Sequence, residues 1–376
     1  MNITLHLTNR CTLSCKYCYV DKKNPIDMPW DTAKKAIDMA VDMSSKKVGV
    51  SFFGGEPLLK KDLIKKIIAY CEEIKENTGI KFFHNLTTNG TLLDEDFLLY
   101  AKKKRISIAI SHDGIKESHD TNRVTKQKEG SFDIVDKNSE LLLEYNPYAA
   151  VILVLNPNTV TNLYKSVNHL FNKGFKYIVL SMNYAAPWVE KSLKVLKNQY
   201  KKISKLYYDK SMANEKFYLA PFDYKIISHI DNKKFKNNQC DLGKSHLTIT
   251  ADGSIYPCTQ LINDKNLLMG NVDIGITRTV FHLKEKKASE DACLECAIKD
   301  RCVHSCSCIN KQASGDINKV SPVLCAHEQM IILITDELAA KLYKAKNQAF
   351  INKHYNELYP FTSVIEDNSK VNKEKI

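Results

Sequence analysis

The first 180 residues alternate between two hydrophobic periods. Short apolar runs, the first of them alternating with polar residues, predict β-strands, and longer stretches with apolar residues three or four positions apart predict helices. The predicted strands are 3–7, 48–53, 81–87, 106–110, 151–155 and 177–180. The predicted helices are 30–43, 62–74, 94–102, 132–145 and 163–173. The pattern therefore predicts six strands with five helices between them.

Repeated strand–helix units place parallel strands in one sheet with the helices outside it. Six units are fewer than a closed eight-fold barrel needs, so we expect an α/β fold with a partial (β/α)6 TIM-like barrel. Ligand chemistry in such folds lies at the carboxyl ends of the strands. Four segments follow predicted strands and should meet there: 11–18, 54–57, 89–90 and 111–114.

After the barrel the pattern changes, and we expect a helical linker, a small Cys-rich domain with short hairpins and helices, a C-terminal helix and a disordered tail. With the barrel first, these segments span 1–187, 188–238, 239–330, 331–365 and 366–376. Within the Cys-rich domain, residues 247–256 predict a β-hairpin that turns at Asp252-Gly253.

Composition excludes several classes of protein. No run of 18 apolar residues occurs, and the N-terminus lacks the pattern of a signal peptide, so we expect a cytoplasmic protein without a membrane partner. Lys and Arg number 55 against 43 Asp and Glu, a net charge of +12. Because the lysines are dispersed along the chain, we expect a solvated surface and no nucleic-acid partner.

Twelve cysteines are the informative part of the composition. A cytoplasmic compartment keeps thiols reduced, so this number favours metal or cluster ligation over disulfides. Cys71 stands alone and is predicted to be a buried helix residue. The other cysteines lie in two zones, 11–18 and 240–325.

The first zone, Cys11, Cys15 and Cys18, supplies three thiolates within eight residues. A [4Fe–4S] cluster takes four ligands, so three thiolates leave one iron open to a small chelating ligand. The alternatives are a zinc site or a group of reactive thiols. A zinc site normally closes with a fourth Cys or His nearby, and Cys71 is the one such residue in the next sixty.

This spacing, C-x3-C-x2-C with Tyr17 before the last Cys, resembles the radical S-adenosylmethionine (SAM) family. A second family motif, Gly-Gly-Glu-Pro, stands at 54–57 after a predicted strand. The resemblance implies that Gly54, Gly55 and Glu56 bind the SAM ammonium group, and adjacent glycines let backbone approach a ligand closely. It also places Tyr17 in the SAM site.

Residues 110–114 and 119–123 are similar to the Ser and Arg segments of the peptide-modifying branch of that family. The resemblance implies that Ser111 and Arg123 contact the SAM carboxylate and ribose, with Asn89 beside them. The alternative for Arg123 is a surface ion pair. The resemblance also implies that an electron donor such as flavodoxin or ferredoxin reduces the cluster. The reduced cluster then cleaves SAM to methionine and a 5′-deoxyadenosyl radical. This radical abstracts hydrogen from the substrate.

The second zone resembles the SPASM extension of radical SAM peptide-modifying enzymes, through seven cysteines: Cys240, Cys258, Cys293, Cys296, Cys302, Cys306 and Cys325. The resemblance implies two auxiliary [4Fe–4S] clusters, three clusters in all. One would be closed by Cys293, Cys296, Cys302 and Cys325. The other would be held by Cys240, Cys258 and Cys306, and its fourth ligand could be Cys308, an Asp, a His or a substrate thiolate. A zinc ribbon is the alternative for Cys293-x2-Cys296 alone.

Two enzyme activities fit this architecture: formylglycine formation and peptide crosslinking. Anaerobic sulfatase-maturating enzymes form formylglycine, and in them an Asp follows the Cys that corresponds to Cys258, where this chain has Thr259-Gln260. An open auxiliary iron suits a Cys-containing peptide instead, because iron lowers the thiol pKa and holds the sulfur. We therefore expect a peptide maturase that forms a thioether or related crosslink in a ribosomally made Cys-containing peptide, with or without a leader.

A non-catalytic iron–sulfur electron carrier is the alternative of another class. Such a carrier would need the clusters but would have no use for the Gly-Gly-Glu-Pro segment, Ser111 or Arg123. The presence of these residues therefore favours an enzyme.

Overall fold

The computed structural model describes residues 1–20, 25–44, 46–230, 241–283 and 291–356. Eleven strands in these ranges form one sheet, in the order β11-β10-β9-β8-β1-β2-β3-β4-β5-β6-β7. Their bounds are β1 Asn2–His6, β2 Lys47–Phe53, β3 Lys81–Thr88, β4 Ser107–Ser111, β5 Ala150–Leu155, β6 Tyr177–Met182, β7 Tyr218–Ala220, β8 His246–Ile249, β9 Ser254–Tyr256, β10 Gly270–Asn271 and β11 Gly275–Ile276.

Helices cover the outside of the sheet. Those of the first half are α1 Trp30–Asp42, α2 Lys61–Thr78, α3 Glu95–Lys104, α4 Lys116–Asn122, α5 Phe132–Tyr145 and α6 Leu163–Asn172. Those of the second half are α7 Glu190–Met212, α8 Phe222–Ile230, α9 Asp291–Leu294, α10 Ser307–Ser314, α11 Pro322–Lys344 and α12 Gln348–Tyr355.

The predicted α/β fold with a partial barrel is confirmed. Strands β1 to β7 pair in parallel in chain order, and the six predicted strands and five predicted helices are all present. Alternating strand positions such as Ile3, Leu5, Val48 and Val50 are fully buried and form the core under the helices. The short helix α4 and strand β7 were not predicted, because seven and three residues are too short to show a period.

The predicted hairpin over 247–256 is present as β8 and β9, but it is not separate from the barrel. β8 pairs in parallel with β1, with Asn2 opposite His246 and Leu5 opposite Ile249. The sheet therefore continues from the barrel into the Cys-rich region. Sequence patterns do not reveal such a pairing, because the partners are more than 240 residues apart.

The predicted C-terminal helix begins earlier than residue 331. Helix α11 starts at Pro322, with Ser321 as its N-cap accepting a hydrogen bond from the Leu324 N–H at 3.1 Å. Proline at the first position of a helix and serine before it are common start residues. A second helix, α12, follows α11, and the predicted tail lies outside the described residues.

Buried ion pairs join α11 and α12 to α8. The Lys225 ammonium on α8 lies 2.6 Å from the Glu328 carboxylate on α11, and both side chains are 2% exposed. The buried Asp223 carboxylate on α8 contacts Lys353 and His354 of α12. Among the helices within the described ranges, none combines the length and apolar character that crossing a bilayer demands.

Candidate active site

Strands β1 to β4 are neighbours in the sheet, so the segments that follow them lie at one mouth of the barrel. The cysteine loop 11–18 follows β1, residues 54–57 follow β2, and Asn89 follows β3. Ser111, the last residue of β4, is half-buried at the same edge. The structure thus brings together the N-terminal segments that the sequence singles out.

The cysteine loop is held by the end of α4. The Ser14 N–H donates to the Val124 carbonyl at 2.6 Å, and the Lys16 N–H donates to the Asn122 carbonyl at 2.9 Å. These backbone bonds hold the middle of the loop against the end of α4.

The three thiols of the loop differ in exposure. Cys11 and Cys15 are half-buried, and Cys18 is exposed. Burial raises the pKa of the Cys11 thiol to about 11, so this thiol is neutral without a cation beside it. Metal ligation requires thiolates, and a bound cation supplies the charge that stabilises them. A soft all-sulfur donor set of this kind fits an iron–sulfur cluster.

Gly54 and Gly55 lie against the backbone that leads into the cysteine loop. The Gly55 N–H donates to the Thr8 carbonyl at 2.7 Å, and the Glu56 N–H donates to the Arg10 carbonyl at 2.8 Å. A Cβ on Gly54, which has φ +131°, would lie 2.5 Å from the Thr8 oxygen, and one on Gly55 would lie 2.1 Å from the Arg10 oxygen. Close backbone contact inside the protein therefore requires both glycines, in addition to any approach of a ligand.

The Glu56 carboxylate is fully buried and uses both oxygens within the chain. Oε1 accepts hydrogen bonds from the Leu58 N–H at 3.0 Å and the Thr88 hydroxyl at 2.7 Å, and Oε2 accepts one from the Asn89 N–H at 2.8 Å. Burial raises the pKa of Glu56 to about 7, although these three donors oppose the rise. The side chain thus ties the loop after β2 to the end of β3.

Asn89 connects β3 to the cysteine loop. Its Nδ2 lies 3.4 Å from the Cys11 sulfur and 3.0 Å from the Thr12 hydroxyl oxygen. Its Oδ1 accepts a hydrogen bond from the Thr91 N–H at 2.9 Å, which fixes the orientation of the amide. An amide N–H aimed at Cys11 favours the thiolate form of that ligand.

Tyr17, Asp113 and Arg123 form one buried unit. The Tyr17 hydroxyl donates to Asp113 Oδ2 at 2.6 Å, and Arg123 Nε lies 3.1 Å from Asp113 Oδ1. The Arg123 guanidinium stands 5.3 Å from the centre of the Tyr17 ring. Burial lowers the pKa of Arg123, but Asp113, Tyr17 and Cys15 together outweigh this effect, and the pKa is raised. Arg123 is 4% exposed, so its ion pair is buried and the surface alternative was wrong.

In the Cys-rich region, Cys258, Cys306 and Cys308 are brought together. Cys258 follows β9, Cys306 is the N-cap of α10, and Cys308 lies in the first turn of that helix. The Cys306 and Cys308 sulfurs are 3.4 Å apart, and Cys308 also hydrogen-bonds to Cys258. Cys240, the other cysteine predicted for this group, lies outside the described residues.

The second predicted group occupies the turns before α10 and the start of α11. Backbone bonds from Cys296 N–H to the Cys293 carbonyl and from Cys302 N–H to the Lys299 carbonyl form successive tight turns. The Val303 N–H donates to Glu328 of α11 at 2.9 Å, which places this turn against the helix that carries Cys325. The predicted ligands of this group are all half-buried: Cys293, Cys296, Cys302 and Cys325.

A contact between the two cysteine regions was missed by sequence reasoning. The Thr259 hydroxyl lies 2.6 Å from His6 Nε2 and 3.2 Å from the Tyr19 hydroxyl. His6 is fully buried, burial lowers its pKa to about 4, and its Nδ1 has no hydrogen-bond partner among the described residues. The one clue in the sequence was a histidine at the end of β1, just before the cysteine loop.

A further cluster consists of His112, Asp136 and His169, whose ligand atoms lie within 4.8 Å of one another. Lys173 already supplies a cation, at 2.9 Å from Asp136 Oδ2. The Gly114 N–H donates to His112 Nδ1 at 3.1 Å, so the proton of this ring is on Nε2, facing Asp136. The cluster is therefore satisfied by its own hydrogen bonds.

This chain is similar to known proteins in sequence. The model of the Radical SAM superfamily matches residues 5–170. An uncharacterized protein of Methanocaldococcus jannaschii is 32% identical over 275 residues, covering 70% of this chain and 90% of that protein. A cysteine-type anaerobic sulfatase-maturating enzyme of Clostridium perfringens is 23% identical over 330 residues, covering 82% of this chain and 89% of the enzyme.

Two solved structures share the fold. Native anSMEcpe with bound AdoMet and Cp18Cys peptide has a TM-score of 0.77 at 19% identity, covering 92% of this chain and 100% of that one. Streptococcus suis SuiB bound to precursor peptide SuiA has a TM-score of 0.62 at 16% identity, covering 86% and 75%. From the family match and its relatives, we conclude that the chain belongs to the radical SAM superfamily and is close to the anaerobic sulfatase-maturating enzymes.

Proposed function

We propose that this chain is a radical SAM peptide maturase, which cleaves SAM reductively and abstracts a hydrogen atom from a peptide. The observation that carries the proposal is the attachment of the cysteine loop to three neighbouring segments. The N–H groups of Gly55 and Glu56 donate to carbonyls just before the loop, and the Asn89 amide donates toward Cys11. Backbone N–H groups in the middle of the loop donate to carbonyls at the end of α4. This arrangement surrounds three thiols with the segments that the resemblance assigns to SAM.

Cys11, Cys15 and Cys18 would hold a [4Fe–4S] cluster, which when bound would supply the electron for reductive cleavage of SAM to methionine and a 5′-deoxyadenosyl radical. The chain's own residues hold and orient the reactants. Asn89 supports the thiolate of Cys11. The SAM contacts that we propose come from the residues at the mouth of the barrel: Tyr17, Gly54, Gly55, Glu56, Asn89, Ser111 and Arg123.

The substrate that we propose is a Cys-containing peptide, and the product a thioether or related crosslink. Forming a C–S bond would transfer a hydrogen atom from carbon to the 5′-deoxyadenosyl radical, release the thiol proton to solvent and pass one electron to an auxiliary cluster, so the peptide would lose two hydrogens. The peptides bound to anSMEcpe and SuiB support a peptide substrate. We further propose two auxiliary [4Fe–4S] clusters on the C-terminal cysteines and a flavodoxin or ferredoxin as electron donor.

Formylglycine formation is the second candidate, and sequence similarity favours it. A sulfatase-maturating enzyme is similar to this chain over 82% of the chain. Thr259 stands where the sulfatase branch has an aspartate that serves as a base, and its hydroxyl lies 2.6 Å from His6 Nε2. Burial lowers the pKa of His6 to about 4, so this ring is neutral at pH 7 but accepts a proton only weakly.

The test is anoxic incubation of the reconstituted full chain with SAM and a chemical reductant. We expect 5′-deoxyadenosine and methionine from the native chain, and neither from a matched C11A/C15A/C18A variant. A chain that binds iron and sulfide but releases no 5′-deoxyadenosine would be an electron carrier, and the proposal would fail.

The product is identified by mass spectrometry of a co-expressed Cys-containing peptide. A loss of two hydrogens per crosslink, with blocked thiol alkylation, supports the crosslink. An aldehyde captured by a hydrazine reagent would instead identify formylglycine formation and reject the crosslink.

A further inference from the structure

The fully buried His119 side chain connects the backbones of both partners in the Arg123–Asp113 ion pair. Its Nδ1 accepts a hydrogen bond from the Asp113 N–H at 3.3 Å, and its Nε2 lies 3.0 Å from the Ser131 hydroxyl oxygen. The Ser131 hydroxyl in turn donates to the Arg123 carbonyl at 2.7 Å. A continuous series of hydrogen bonds therefore joins the backbones that carry the two charges.

The direction of each bond in this series is determined by the groups at its ends. The Asp113 N–H can only donate, so His119 Nδ1 carries no proton. The Arg123 carbonyl can only accept, so the Ser131 hydrogen is used there and the Ser131 oxygen accepts from His119 Nε2. His119 is thus a neutral ring with its proton on Nε2, in agreement with the burial that lowers its pKa. The position requires a side chain that accepts at one atom and donates at another, as imidazole does.

The cysteine loop lies on the segment that this series closes. The turn after α4 is a narrow hairpin, in which Val124 and Gly130 form an antiparallel bridge. The cysteine loop pairs with one arm of this hairpin, because Leu13 forms an antiparallel bridge with Thr125. The bonds of His119 therefore hold the base of a hairpin against which the predicted cluster ligands are placed.

We propose that His119 and Ser131 are positioning residues for SAM. They hold the backbones of Asp113 and Arg123, and the ion pair then holds Tyr17. The inference rests on the proposed function, which assigns Tyr17 and Arg123 to SAM. In metal sites, loss of a hydrogen bond that supports a ligand costs about 10–100-fold in affinity, and a displaced Arg123 should weaken SAM binding in the same way.

A role in stability alone would make Ser131 equivalent to any other buried, hydrogen-bonded serine. Ser139 on α5 allows this comparison, because it is fully buried and its hydroxyl donates to the Val135 carbonyl at 2.7 Å. Ser131→Ala and Ser139→Ala each remove one hydroxyl bond of the same length to a backbone carbonyl. The two variants should therefore lose similar stability, and only the first should affect SAM.

The first experiment measures SAM binding to the reconstituted full chain by equilibrium titration. We expect Ser131→Ala to raise the Kd for SAM about tenfold, and Ser139→Ala to keep the native Kd. Asp120 Oδ1 accepts the Phe132 N–H at 2.8 Å, so the base of the hairpin stays attached in Ser131→Ala. Denaturant unfolding and iron analysis check that both variants are folded and loaded. Native SAM affinity in Ser131→Ala, or equal weakening in both variants, would overturn the proposal.

The second experiment tests whether the effect passes through the ion pair. Ser131→Ala is added to the double variant R123M/D113N, which has neither charge. If Ser131 acts through Arg123, its substitution should weaken SAM binding no further in this background, and a double-mutant cycle measures this coupling. A loss as large as that in the native background would show that Ser131 acts by another route, contrary to the proposal.

Variants of His119 test rescue by a conservative replacement. His119→Gln retains an amide N–H that can donate to Ser131, whereas His119→Met retains no such donor. We expect the Gln variant to bind SAM more tightly than the Met variant, and equal affinity in two folded variants would contradict the role of His119. The Ser131 and Ser139 pair tests the proposal even where a His119 variant does not fold.

Failure of this inference is distinguishable from failure of the proposed function. A native chain that binds no SAM, or releases no 5′-deoxyadenosine, refutes the proposed function. A native chain that does both, while Ser131→Ala and Ser139→Ala bind SAM alike, refutes the positioning role alone.

Discussion

Arg123 and Asp113 form a buried ion pair beneath Tyr17, and this pair determines how the ring is held. The two side chains are 5% and 3% exposed, so neither charge has water to replace its partner. Tyr17 depends on both, since Asp113 accepts a hydrogen bond from its hydroxyl and Arg123 faces its ring. We therefore assign Arg123 the positioning of Tyr17 in addition to the SAM contact proposed for it.

Replacing one partner should destabilise the fold, because it leaves an unpaired buried charge. We expect Arg123→Met to lower the free energy of unfolding by about 3–5 kcal/mol, measured by denaturant unfolding of the chain without clusters. The double variant R123M/D113N should recover most of this loss, since it removes both charges. A double variant as unstable as the single one would show that the pair is not the cause.

The same double variant separates the two roles of Arg123. If its guanidinium also binds SAM, the stable double variant should bind SAM about tenfold more weakly, or about 1.4 kcal/mol, in an equilibrium titration of the reconstituted chain. Unchanged SAM affinity in a stable double variant would restrict Arg123 to the positioning of Tyr17.

At the scale of elements, the turn after β2 controls the path of the cysteine loop. Gly54 and Gly55 meet the carbonyls of Thr8 and Arg10 at distances that leave no room for a methyl group. Because these carbonyls belong to backbone just before Cys11, the loop must move if either glycine gains a side chain. The effect of a substitution should therefore appear as lost cluster binding as well as lost stability.

We expect Gly55→Ala to reduce iron by about four per chain, the content of one cluster, and to abolish SAM cleavage. Iron and sulfide analysis after anoxic reconstitution measures the first effect, and 5′-deoxyadenosine release measures the second. Gly79→Ala is the control for crowding, since no atom lies within 4 Å of its added Cβ, and Gly79 has positive φ, +75°, which Gly55 does not. The control should lose only about 1 kcal/mol of stability. Native iron content in Gly55→Ala would refute the argument.

Local patterns predicted the segments that meet at the mouth of the barrel, because parallel strands end at one edge whatever their packing. Asn89 and Ser111 were placed correctly at strand ends for this reason. Non-local contacts could not be predicted. The internal partners of Glu56, the approach of Cys308 to Cys258 and the bond between His6 and Thr259 each join segments that are distant in the chain.

At the scale of the whole molecule, one sheet joins the barrel to the Cys-rich region. β8 covers the edge of β1 along Asn2 to Leu5, and Leu247 and Ile249 of β8 are fully buried. Helix α11, which also belongs to the C-terminal region, packs against α7 and α8. The Cys-rich region thus completes the core on which the cysteine loop is built.

A chain cut at residue 238, the predicted end of the linker, should therefore fail to fold. The cut exposes the paired edge of β1, and unpaired strand edges promote aggregation. It also uncovers the face of α7 that packs against α11, where the Tyr200 hydroxyl lies 2.9 Å from His327 Nε2. We expect little soluble protein from a 1–238 chain, measured as the soluble fraction and by size-exclusion chromatography.

The matched control is a chain that ends at residue 356, which keeps every described element of the C-terminal region. It should be soluble and should melt at about the temperature of the full chain, because no described contact is removed. A soluble 1–238 chain with a cooperative melt would show that the barrel is an independent unit. The pairing of β1 with β8 would then be an addition to a finished core, and the cysteine loop would not depend on it.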